Sequence, residues 1–212
     1  MLLIFSSIVI IIVVALFYFY RTQTVWVESE SYQRVSNEPA KTLVVVYSRT
    51  GNTLGAAKEV AKYFDADLVQ IEAPLYSRDL KGQQLAAKDA DEELTTTPIE
   101  HEPVNLNSYD LIFLCSPTWW YRPAVPLFSF VENHDFAGKS VFLIMTGNSR
   151  KTDEKTGKFE TLVKQKNGNL LDVLFVRRGR IYWQKTPEQV NSEVLEALKE
   201  RKNMWADLGR IK

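Results

Sequence analysis

The chain opens on an apolar run unlike anything that follows it. Residues 2–20 carry no charge, and only Ser6 and Ser7 interrupt the apolar side chains. Nineteen residues in a helix cover about 28 Å, close to the hydrocarbon thickness of a bilayer. Phe17, Tyr18, Phe19 and Tyr20 close the run, where aromatic rings suit the headgroup interface, and Arg21 follows at once. A cleaved signal peptide would show a basic leader and a small-residue cleavage site, and a core helix would show a polar face. The pattern has none of these. It predicts a transmembrane anchor over residues 1–20, in contact with membrane lipid through residues 2–20. Arg21, Arg34 and Lys41 follow the span and no Lys or Arg precedes it, so a single-pass topology with the bulk of the chain in the cytoplasm is expected.

Residues 21–41 turn polar without a period (Glu28, Ser29, Glu30, Ser31, Ser36, Asn37, Glu38, Pro39). This reads as a linker. Fully extended it would reach about 60–70 Å, so the following domain need not touch the lipid.

From residue 42 the pattern becomes a regular alternation. Residues 42–47 (TLVVVY) form a continuous β-branched run, as in a strand buried on both faces. Leu54, Ala57, Val60, Ala61 and Phe64 then recur at helical spacing. Residues 67–71, 111–115, 140–145 and 170–176 read as four further strands. Residues 126–133 and 158–165 read as helices between them. A last helix starts at Thr186, Pro187 and Gln189, which supply a hydroxyl cap, a first-turn proline and a capping-box partner, and it buries Val190, Val194 and Leu198. The stretch 73–109 is the least regular. Residues 81–94 suit a helix whose acids Asp89, Asp91, Glu92 and Glu93 form a solvated face, and 95–107 read as loop around Pro98 and Pro103.

This order predicts an α/β domain over residues 42–212, a doubly wound five-stranded parallel sheet with helices on both faces, preceded by one transmembrane helix. Ligands in such sheets sit beyond the carboxyl ends of the strands, at the switch in strand order. Function is therefore sought in the loops after the first, third and fourth strands.

Composition narrows the chemistry. With 45% hydrophobic residues among 212, the chain can bury a core, which excludes wholesale disorder. Twenty-six basic and twenty-six acidic residues cancel, so no global charge draws it to nucleic acid. Cys115 is the single cysteine, which excludes an intrachain disulfide or a thiolate metal cluster and fits a reducing compartment. It falls at the end of the third strand and reads as a small buried hydrophobe. His101 and His134 lie outside metal-ligand spacing and are given no catalytic role. Arg177, Arg178 and Arg180 cluster around Gly179, either as a solvated turn or as a docking patch for a phosphate-bearing donor or acidic partner.

The loop after the first strand is Ser48-Arg49-Thr50-Gly51-Asn52-Thr53. Its hydroxyls, its glycine and the helix start beyond it suit an anion, and equally an ordinary turn capped by Asn52 or Thr53. No glycine-rich dinucleotide or ATP motif is present. The loop after the third strand holds Pro117, Thr118, Trp119, Trp120, Tyr121 and Arg122. Its three adjacent rings either pack on neighbouring helices or wall a planar aromatic ligand, and their divergence allows one or two at most to touch it. The loop after the fourth strand, Thr146-Gly147-Asn148-Ser149, is small and polar.

In these loops the chain resembles the flavodoxin-like family. The S-x-T-G-N-T segment after an apolar strand looks like that family's phosphate loop, and the P-T-W-W segment looks like the flavin-facing loop of its shorter members. The resemblance runs from about residue 42 to 201. It implies non-covalent FMN, with Ser48, Thr50, Asn52 and Thr53 on the phosphate through side chains and backbone. Arg49 and Gly51 would contribute mainly backbone. Residues 117–121 and 146–149 would line the isoalloxazine. The carrier members are strongly acidic around the flavin, whereas this chain is neutral and places Arg122 in the aromatic loop, where it is expected to favour reduced flavin. No tyrosine stands in the fourth-strand loop to cover a second flavin face. The expected function is electron transfer near the membrane, with a membrane redox protein or a lipid-soluble quinone as partner. The alternatives are an NAD(P)H-dependent quinone reductase and a flavin-free scaffold on the same fold.

Overall fold

The computed structural model describes residues 2–180 and 183–209. Five parallel strands, β1 (Thr42–Tyr47), β2 (Asp67–Ile71), β3 (Leu111–Trp119), β5 (Ser140–Gly147) and β6 (Asn169–Arg177), lie in the order β2-β1-β3-β5-β6. The two-residue β4 (Arg122–Pro123) pairs antiparallel with the end of β3. The alternation of β1 explains the two layers. Leu43, Val45 and Tyr47 face a core shared with α3 (Leu80–Asp91), α4 (Val125–Glu132) and α5 (Asp153–Gln165). Val44 and Val46 face the opposite core, built with α2 (Asn52–Phe64), α6 (Pro187–Glu200) and α7 (Lys202–Asp207). Every residue of β1 is buried, which is why its sequence shows no polar alternation. The expected five-stranded sheet with helices on both faces is thus present.

Local chemistry explains the helix ends. At α6 the Thr186 hydroxyl accepts from Gln189 N (3.3 Å) while Gln189 Oε1 accepts from Thr186 N (2.9 Å), the reciprocal cap that the sequence predicts. Asp79 caps α3 by accepting from Gly82 N at 2.8 Å. Helix α5 begins five residues earlier than the apolar spacing suggests, with Asp153 and Glu154 complementing the dipole of its first turn. The short α7 was not legible in the pattern, yet it buries Trp205 against Phe64, Phe113 and Phe142.

The acids expected on a solvated face of α3 divide. Asp89 is buried and accepts from the Tyr76 hydroxyl at 2.8 Å. Glu93 pairs with Lys155 and Lys158 of α5. They tie this helix to its neighbours, because the bend of residues 73–79 brings Tyr76 over it.

Helix α1 spans Leu2–Thr24, and Phe5–Thr24 is long and apolar enough to cross a membrane. The segment after it does not hang as an extended linker. Val27 N donates to Thr50 O (2.9 Å), and the Tyr32 hydroxyl donates to Ala61 O (3.0 Å) and Ala66 O (2.7 Å). Arg34 Nε donates to Asp65 O at 2.9 Å, and the Asp65 carboxylate accepts from Val35 N and Ser36 N. Trp26 and Tyr32 pack on the α2–α6 core. Burial pushes the Tyr32 phenol up to about 12. Residues 25–36 therefore form a strap, and it begins at the residue after α1 ends.

Candidate functional site

The switch in strand order falls between β1 and β3, and a pocket of about 340 Å³ opens there. Its walls are the three expected loops. Every residue singled out from 48–53, 117–121 and 146–149 lines it except Gly51, which borders an adjacent depression with Val27 and Gly55.

One end is made for an anion. Gly51 is the N-cap of α2 at φ 85°, and no side chain caps that helix, so its first-turn N–H groups are left for a ligand. A Cβ at Gly51 would meet Val27 O at 2.1 Å, so both the left-handed backbone and the strap require glycine. Thr50 Oγ1 accepts from Asn52 Nδ2 at 3.2 Å. Thr53 Oγ1 lies 2.9 Å from Thr146 Oγ1 and stitches the first loop to the end of β5. The Arg49 side chain is half-buried and engaged by backbone carbonyls. Its guanidinium donates to Gln23 O (3.1 Å) and to Ser77 O, Arg78 O and Asp79 O (3.2 Å each). Burial lowers its basicity.

The other end is aromatic. Strand β3 runs on to Trp119, and Trp120 and Tyr121 form the two-residue turn into β4, both left-handed at φ 45° and 69°. Trp119 is wedged edge-on between Tyr47 (5.5 Å) and Tyr76 (5.0 Å). Trp120 remains 45% exposed at the pocket. The three rings thus divide between packing and a free face. Gly147 permits the close approach of this wall to the β5 loop, since a Cβ there would meet the Thr118 Cβ at 2.8 Å.

Arg122 does not reach the site, contrary to its expected effect on a flavin. It is opposite Trp119 in the hairpin and shares the inward face. It is 1% exposed, its guanidinium sits 4.0 Å over the Phe128 ring, and Nη2 donates to Leu94 O at 2.9 Å. Cys115 is buried at the end of the β3 core segment, and burial alone pushes its thiol up, so it is an inert apolar side chain. His101 and His134 lie together, ring centres 5.4 Å apart, beside Phe130.

Six lining residues escaped the sequence reading. Thr22 and Gln23 of α1 line the pocket, as do Gln83, Ala86 and Ala87 of α3 and Arg178 after β6. Arg178 was visible only as one of a basic cluster. The small Ala86-Ala87 pair was the sole local sign that α3 approaches a cleft. Two buried polar atoms of the wall, Thr118 Oγ1 and Arg178 Nε, have no partner among the described residues. They are the kind of group that a polar ligand satisfies.

Known structures share this architecture. A flavoprotein from Lactobacillus acidophilus, solved in complex with FMN, is 21% identical, with 64% of this chain and 93% of that chain covered and a TM-score of 0.56. The apo form of the flavoprotein from the same organism, solved by NMR, is 22% identical over 66% and 93%, with a TM-score of 0.53. A protein from Bacteroides uniformis is 22% identical over 74% and 99%, with a TM-score of 0.54. No curated protein matches the chain. The profile of the flavodoxin family matches residues 41–186, more than half of the chain, and on that match the chain belongs to the flavodoxin family.

Proposed function

We propose that this chain is a membrane-anchored FMN protein that transfers electrons near the bilayer. The observation that carries the reading is the pocket at the β1/β3 switch, with an uncapped helix N-terminus at one end and an exposed indole at the other. These ends suit the phosphate and the ring of FMN, and the wall's unpartnered polar atoms suit the edge of a heterocycle. The Lactobacillus acidophilus flavoprotein crystallised with FMN lends support. In this reading Ser48, Thr50, Asn52, Thr53 and the backbone of Arg49 and Gly51 hold the phosphate. Pro117, Thr118, Trp119, Trp120 and Tyr121 line the ring on one side, and Thr146, Gly147, Asn148 and Ser149 on the other.

FMN supplies reversible electron transfer when bound. The chain binds, orients and shields it. Trp119, locked between Tyr47 and Tyr76, sets the floor of the aromatic wall. Arg178, the one arginine of the 177–180 cluster in the pocket wall, favours negative charge there. Helix α1 confines the chain to a bilayer and raises its effective concentration toward a membrane redox protein or a lipid-soluble quinone. Arg21, Arg34 and Lys41 after the span favour a cytoplasmic domain.

Titration of the full chain in detergent micelles with FMN tests the reading. Quenching of flavin fluorescence should saturate at one FMN per chain with micromolar or tighter affinity. A chain that ignores FMN would leave only a scaffold role. NADPH and a quinone added to the loaded chain then separate two redox roles. Oxidation of NADPH without a reductase would assign a quinone reductase, and inertness a carrier.

A further inference from the structure

Three exposed arginines stand beside the pocket without a carboxylate. Arg150, Arg177 and Arg180 line a depression of about 420 Å³ with Tyr121 and Trp183. Among the described residues none of the three forms an ion pair. Two instead face rings, Arg150 at 5.2 Å from Tyr121 and Arg177 at 5.4 Å from Trp183. No acid among the described residues lines the depression, and Asp153, three residues beyond Arg150, pairs with Lys151. Trp183 is 48% exposed and Trp120 45%. Exposed indoles with arginines whose charge is free make up the composition of a membrane–water interface.

The position of α1 gives this face a reason. Arg178, within the same cluster, lines the same pocket as Thr22 of α1, which lies about 3 Å of helix rise beyond the end of the apolar run at Tyr20. Gln23 borders the pocket as well. Arg49 and the strap fix this arrangement through Gln23 O and Thr50 O. If α1 spans a bilayer, the turn 177–180 must therefore lie at headgroup level.

We infer that Arg150, Arg177 and Arg180, with Trp120 and Trp183, form a docking face for anionic phospholipid headgroups that holds the mouth of the pocket against the bilayer. The inference rests on the reading of α1 as a membrane span. It explains why basic side chains on this edge are left without acids, since a headgroup phosphate supplies the missing anion. A partner that stays in the bilayer then reaches the pocket without crossing open water.

The test uses the full chain in nanodiscs of phosphatidylcholine, alone or mixed with phosphatidylglycerol, with hydrogen exchange followed by mass spectrometry. Exchange over residues 148–151 and 177–180 should slow severalfold in the anionic discs. That protection should vanish in high salt and in the R150Q/R177Q/R180Q variant, whose β1 and β3 exchange, unchanged, reports an intact fold. Equal exchange in both lipids, or protection that survives the triple substitution, overturns the docking face. So does equal protection in neutral discs by inorganic phosphate or NADPH, which would reassign the arginines to a soluble ligand. Failure of the span itself shows separately, as a chain that carbonate strips from neutral discs.

Discussion

The two ends of the pocket are built on opposite plans. The anion end consists of backbone held from several directions. The strap bonds Thr50, Arg49 reaches four carbonyls, and Thr53 is tied to Thr146. The aromatic end is the tip of a two-residue hairpin that exposes Trp120. Non-glycine residues there hold left-handed backbone at a cost of about 1–2 kcal/mol each. The phosphate of a ligand is the same in every bound state, so a rigid cradle suits it. A ring that changes charge and exchanges electrons with a partner, as proposed above, is better served by an open wall. In the proposed reading, affinity resides in the loop after β1 and access in the loop after β3.

The most severe way to break this division is Gly51→Ala. The new Cβ meets Val27 O and the backbone must hold φ 85° with a side chain. Strain of about 1–2 kcal/mol and the loss of the strap's hydrogen bond, about 1 kcal/mol, should weaken FMN binding on the order of 100-fold. Flavin fluorescence titration reads the affinity, and exchange of residues 25–36 reads release of the strap. Unchanged affinity would show that the strap and the anion end are independent.

Trp120→Ala tests the open wall and should do less. One stacking face is worth about 0.5–1.5 kcal/mol, so FMN affinity should fall about 2–10-fold. The exposed side chain supports no core packing, and the melting temperature should hold. A loss as large as that of Gly51→Ala would make the aromatic end an affinity element and erase the contrast.

Much of this site was legible in the sequence because its parts sit at the ends of strands that announce themselves. A strand buried on both faces, such as β1, leaves a continuous apolar run, and the loop that follows it is located by that run alone. The reciprocal cap at Thr186 and Gln189 was equally local. What escaped was tertiary. Tyr32 and Arg34 bind backbone carbonyls of α2 and the turn after it, through single residues that leave no period, so the strap read as a linker. The turn at Trp120 and Tyr121 lacks the glycine or asparagine that marks left-handed hairpins, so β4 read as loop. With β4 unseen, nothing could show that Arg122 shares the inward side of Trp119.

That correction supplies the smallest predicted effect and the finest test of the contrast. The charge of Arg122 sits over Phe128 and is lowered in basicity by burial. It holds Leu94 O through Nη2, while Nε and Nη1 have no partner among the described residues. Replacement by methionine keeps the volume, removes two unsatisfied donors and sacrifices one hydrogen bond, changes that offset to within about 1 kcal/mol. For a chain of this size that corresponds to about 2–4 °C in melting temperature. Since the guanidinium faces the core under the hairpin, Arg122→Met should leave FMN affinity and the flavin reduction potentials unmoved. A potentiometric shift would show that the charge reaches the ring through the hairpin. The aromatic wall would then be tuned from within as well as left open from without.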